Sequence, residues 1–159
     1  MPPPLLFPID EIDLDTLVVT QEEIYQTLAH RHEFMLLDGL AFLDIEAKRA
    51  VAIHEVREDA WWVRGHIPGR PLLPGVIMIE AAAQVCSFFA ARALSLNHFV
   101  VFGGVNDVKF REAVVPPARL IILIQAVELR SRRTVSKMQG LVNGRLVVEG
   151  RIIGLPLRE

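Results

Sequence analysis

The chain has 159 residues, 52% of them apolar and 23% charged, with a mean hydropathy of +0.35 and a formal net charge of −2. That length fits one domain with one core, and an apolar fraction above the soluble average suggests surface that faces another subunit. The longest uncharged stretch, residues 93–106, is too short and too broken by Asn97, His98, Gly103 and Gly104 to span a membrane; the start lacks the charged and apolar regions of a signal peptide; and a pI near 6.2 without an aromatic-rich basic cluster argues against nucleic acid.

Residues 1–20 carry four prolines and four acidic side chains with no basic one, and read as an irregular arm. Thr20 then stands three residues before Glu23, a capping-box spacing that opens a short helix to about Leu28. Residues 34–45 and 49–56 read as two strands, rich in apolar and β-branched residues with partial alternation. Three prolines, Pro68, Pro71 and Pro74, exclude regular structure just after His66, which is placed on the strand side of that turn.

From Gly75 to about Leu94 the pattern is helical and leaves almost no polar face, the mark of a buried helix. Beyond it come strand-like runs at 99–102, 105–110 and 120–124, the last continuous enough for a strand covered on both faces. Runs at 135–142 and 146–153 flank Asn143-Gly144, a dipeptide suited to a type I′ hairpin. One long buried helix among antiparallel strands is an α+β arrangement, with a curved sheet around the helix.

Charge is unevenly spread: residues 1–60 carry 4 basic and 13 acidic side chains, and the remainder 13 and 6. The densest basic group, Arg130, Arg132 and Arg133, suits a small acidic partner. The single cysteine, Cys86, allows no intrachain disulfide, fits a reducing, cytoplasmic setting and reads as a small core residue. His30 and His32 form an H-x-H pair, but without the assembled ligands that structural zinc needs.

Glu80 is the exception inside the most apolar helix, with Gln84 one turn later. A carboxylate there must be paired, protonated or functional, and apolar walls are expected to raise its pKa. His66 lies 14 residues earlier, and Gly75 opens the helix where backbone N–H groups and the macrodipole favour negative charge. A histidine, a carboxyl group and an amide-based oxyanion site are together what proton abstraction beside a carbonyl requires.

Residues 65–84, GHIPGRPLLPGVIMIEAAAQ, closely resemble the active-site segment of bacterial 3-hydroxyacyl-(acyl-carrier-protein) dehydratases of the FabZ type. LAHRHEFMLLD at 28–38, VKFR at 108–111 and VNGRLV at 142–147 follow in the family's order. The resemblance implies a hotdog fold, a curved antiparallel sheet wrapped around one long central helix over residues 21–159, behind the arm of 1–20. It further implies a homodimer, commonly a trimer of dimers, that takes its substrate from acyl carrier protein and needs no metal or organic cofactor. His66 of one subunit and Glu80 of the other are the implied catalytic pair, with Gly75 and Gln84 meeting the substrate. The implied reaction dehydrates (3R)-3-hydroxyacyl thioesters to trans-2-enoyl thioesters in lipid synthesis. A hotdog thioesterase and a noncatalytic acyl-binding subunit are the alternatives. Ala29, His32-Glu33 and Pro117-Ala118 depart from the family's usual residues, around loops rather than in the catalytic pair.

Overall fold

The computed structural model describes residue 1 and residues 3–157; Pro2, Arg158 and Glu159, which the sequence-drawn arm and domain include, lie outside the described residues. In chain order the elements are β1 (Val19–Thr20), α1 (Gln21–Thr27), a single 3₁₀ turn (His32–Phe34), β2 (Gly39–Asp44), β3 (Arg49–Val56) and α2 (Val63–His66). They continue with α3 (Gly75–Ala93), β4 (Val100–Phe110), β5 (Ala118–Arg130), β6 (Arg133–Val142) and β7 (Arg145–Pro156). The strands form one antiparallel sheet in the order β1-β2-β3-β5-β6-β7-β4. This is the hotdog fold, the sheet curling around α3.

α3 is long and apolar enough to cross a membrane, yet 67% of that stretch is buried inside the sheet, as expected of a core helix. Phe88, Phe89, Ala81, Ala82 and Val85 of α3 meet Leu120, Ile122 and Ile124 of β5 in the main core. The intervening residues Ile121 and Leu123 point to the other face, where a second cluster also takes Val51, Ile53, Leu141 and Phe7. The run at 120–124 therefore serves two cores by the period-2 alternation of a strand, which accounts for its lack of polar residues.

Phe7 belongs to the arm. Both ends of the buried Gln139 amide hold that segment, Oε1 accepting from the Leu6 N–H at 2.8 Å and Nε2 donating to the Pro4 carbonyl at 3.0 Å. Arg49 lies 5.1 Å over the Phe7 ring. The arm is irregular up to Val19 but covers the outer face of the sheet.

Three local expectations need correction. Residues 34–37 do not extend β2, because their backbone groups bond to side chains: Phe34 O accepts from Gln84, Leu36 O bonds with His54, and the Leu37 N–H donates to Tyr25, whereas the Asp38 N–H already joins Ile53 O of β3 just ahead of β2. His66 ends the short helix α2 instead of a strand. The runs at 99–102 and 105–110 are one strand, β4, whose register shifts near Gly103 and Asp107 absorb the break in pattern.

Candidate active site

The core helix delivers Glu80 to its surface. The Glu80 side chain is about one-quarter exposed and sits in a cavity of about 50 Å³, walled by His30, Gln84, Val100, Phe102, Thr134 and Gly154 among others. Gln84 lies one turn on, so that its Nε2 donates to Glu80 Oε1 at 2.9 Å. His30 Nε2 approaches the same oxygen at 3.3 Å. Oε1 thus receives both donors.

Gln84 is itself held on every side. Its Oε1 accepts from the Tyr25 hydroxyl at 2.6 Å, and its Nε2 donates also to Phe34 O at 2.9 Å. The Tyr25 hydroxyl in turn accepts the Leu37 N–H at 2.8 Å. Since the Phe34 carbonyl only accepts, it requires the Nε2 end of Gln84 on the side of Glu80 and leaves Oε1 to the Tyr25 hydroxyl. With its amide engaged and the residue only 1% exposed, Gln84 supports Glu80.

Burial does push the Glu80 carboxyl upward, as the apolar walls led one to expect. The contact with His30, through hydrogen bonding and charge, and the Gln84 hydrogen bond together outweigh it, and the group is held below the ordinary glutamate value. Two donors on one oxygen favour the charged form. Glu80 is therefore a carboxylate at neutral pH, where the sequence alone pointed to a raised acid.

His66 occupies a different surface. It is exposed, and its Nδ1 is 2.9 Å from the Leu72 carbonyl. A carbonyl only accepts, so Nδ1 carries the hydrogen and Nε2 is left as the free, basic nitrogen. Among the described residues no hydrogen bond or ion pair joins His66 to Glu80 within one chain.

Gly75 starts α3 directly after Pro74, at the end where backbone N–H groups lack helical partners. A Cβ at that position would lie 2.7 Å from Cε1 of Phe110 and push the ring aside. The neighbouring cleft, about 510 Å³, is apolar on most sides, with Leu72, Val76, Ile79, Phe110 and Val114. Cys86, buried in α3, has its thiol pushed up to about 12 by desolvation and is inert.

Two supports of Glu80 were not recognised in the sequence. Tyr25 carries no motif of its own in the sequence, and His30 stands there as half of an H-x-H pair and within the 28–38 segment. His30 turns instead toward Glu80, while Arg31 pins its loop by donating to Leu28 O at 2.9 Å and His30 O at 2.7 Å. The signal was present in the spacing of the 28–38 segment, but nothing local tied it to a residue fifty positions away.

The FabA-like domain family matches residues 28–153. The chain belongs to that family. Within it, the chain is 35% identical over 132 residues to the 3-hydroxyacyl-[acyl-carrier-protein] dehydratase FabZ of Hydrogenobaculum sp. (strain Y04AAS1), covering 80% of this chain and 87% of that protein. Identity to the FabZ of Clostridium botulinum (strain Loch Maree / Type A3) is 36% over 135 residues, 82% and 91% of the two chains. A solved thioesterase from Pseudomonas aeruginosa shares the fold, with a TM-score of 0.65 at 16% identity over 88% of this chain and 96% of that one. The FabA-like chain is a hotdog-fold enzyme related to FabZ-type dehydratases. Fold alone does not choose between the two reactions.

Proposed function

We propose that the protein dehydrates (3R)-3-hydroxyacyl thioesters carried by acyl carrier protein to trans-2-enoyl thioesters. The observation that carries this reading is Glu80: a carboxylate on an apolar core helix, with Oε1 anchored by two donors, is built to present its second oxygen to a substrate. The FabZ relatives at 35–36% identity support the same choice of chemistry.

In the proposed site, His66 of one subunit faces Glu80 of its partner across an interface made by β4. That strand is a sheet edge and exposes Val101, Phe102, Val105 and Phe110, a long apolar edge of the kind that pairs with another strand. The thioester oxygen accepts from the Gly75 N–H, where the dipole of α3 favours the charge that develops on enolisation. His66 Nε2 takes the C2 proton. The C3 hydroxyl, oriented by hydrogen bonding to Glu80 Oε2, leaves with that same proton returned by the His66 imidazolium. The C3–O bond breaks, the C2–C3 double bond forms and water departs, so the proton count closes on one histidine.

The test is product analysis with purified protein and a 3-hydroxyacyl thioester. Enoyl thioester is the expected product, and its formation falls at least about a hundredfold in His66→Ala and Glu80→Gln while the oligomer persists. Release of free thiol without enoyl product would establish the thioesterase instead. Equal activity in wild type and both variants would remove His66 and Glu80 from the chemistry.

The carrier protein is proposed to dock at the β5–β6 hairpin. Arg130 and Arg133 pair across its tip, and Thr134, the next residue, lines the Glu80 cavity. Lys137 lies further along β6. Reversing charge at Arg130 and Arg133 is expected to raise KM several-fold for carrier-bound substrate and leave a small-thiol substrate unchanged. Equal effects on both substrates would exclude this surface.

A further inference from the structure

We propose that His30 is a positioning residue for Glu80: together with Gln84 it occupies Oε1 and so leaves Oε2 as the oxygen offered to the substrate hydroxyl. This deepens the reading of Glu80 given above and rests on it.

The geometry is specific. Gln84 comes from the helix that bears Glu80, so its bond travels with the helix and leaves rotation of the carboxyl plane only partly defined. His30 comes from the segment after α1 and approaches from outside the helix. Two donors arriving on one oxygen from separate elements fix the plane. They also make Oε1 the poorer acceptor for a further donor, so the substrate hydroxyl is directed to Oε2.

His30 is held for this task. Its ring stands edge-on to Tyr25, with centroids 6.4 Å apart and planes at 74°, and Arg31 clamps the carbonyl of His30 itself. Tyr25 reaches both partners of Glu80, since the same ring that packs on His30 carries the hydroxyl bonded to Gln84. One side chain thereby couples the two donors.

The groups facing Glu80 are few. From α1 and its following segment come Tyr25 and His30, and from α3 come Gln84 and the inert thiol of Cys86. The walls from β4, β6 and β7, including Val100, Thr134 and Gly154, add no ionisable side chain. In the proposed dimer His66 of the partner adds the remaining one. His30 is thus the cation-forming group that the chain itself sets against this carboxylate.

The test combines kinetics with direct titration in the full-length protein. Carboxyl ¹³C shifts of labelled glutamate, assigned by comparison with Glu80→Gln, report ionisation of Glu80 in wild type, His30→Ala and His30→Gln. Loss of the His30 bond moves the Glu80 titration about one unit to higher pH. In His30→Ala kcat falls about tenfold while KM stays within about twofold. His30→Gln, whose amide can still donate to Oε1, recovers most of kcat, which a merely structural role for the ring would not produce.

An unchanged Glu80 titration in His30→Ala, or full kcat in that variant, overturns the proposal. If wild type yields no enoyl product at all, the dehydratase reading falls, whereas the ¹³C titration still reports whether His30 holds the carboxyl. Should His30→Ala not fold, His30→Leu, which keeps apolar bulk but offers no donor, carries the same decision through the titration.

Discussion

Among single residues, the tolerance of α3 for Glu80 depends on Tyr25 as much as on the direct donors. The Tyr25 hydroxyl satisfies the buried Leu37 N–H and orients the buried Gln84 amide at once. Burial raises the phenol well above its ordinary value, so it stays a donor across the whole working range of pH. Tyr25→Phe keeps the ring and its packing on His30 but deprives two buried polar groups of their partner. At about 1–3 kcal/mol for each unmet group, roughly 2–6 kcal/mol of stability should go. For a chain of this size the melting temperature is expected to fall by about 4–24 °C, read by calorimetry or circular dichroism. A change below about 1 °C would mean that water or a rearranged Gln84 replaces the hydroxyl without cost.

Elements whose causes are local were legible in the sequence. The Thr20–Glu23 capping box forms, with Glu23 N–H donating to Thr20 Oγ1 and Thr20 N–H to Glu23. Asn143 and Gly144 take φ of 50° and 73°, the two positive values that a type I′ turn needs. α3 spans Gly75–Ala93, close to the periodicity-based limits, because neither proline nor a further glycine interrupts it. What failed depended on distant partners. Residues 34–37 have strand-like composition, but their backbone is claimed by Gln84, Tyr25 and His54 from other elements, and no window along the chain contains that information. The arm shows the same limit: its irregular backbone was evident, but the grip of Gln139 on Pro4 and Leu6 joins residues more than 130 positions apart. For the site, the 65–84 motif exposed Glu80 and His66, whereas the sign of the Glu80 shift required the position of His30.

At the scale of the whole molecule, the decisive feature is that His66 and Glu80 have separate surroundings within one chain. His66 turns to Leu72 at the end of the proline-rich loop, and Glu80 turns to His30. If the pair acts together, two copies must supply it, and the unpaired β4 edge with its exposed apolar residues is the surface on which they would meet. A closed two-fold interface makes each contact twice, so a dimer holds two sites, each drawing on both chains. This yields a test by complementation. His66→Ala and Glu80→Gln proteins, each inactive alone, are mixed under conditions that allow subunits to exchange. In a mixed dimer one site carries both substitutions and the other carries neither, because His66 from the Glu80→Gln chain meets Glu80 from the His66→Ala chain. With random exchange half of the dimers are mixed and one of their two sites works, so activity should recover to roughly a quarter of wild type. Recovery must follow the time course of exchange, measured independently with fluorescently labelled subunits. Full exchange without any recovered activity would mean that both residues act within one subunit, and the β4 interface would then have no part in building the site.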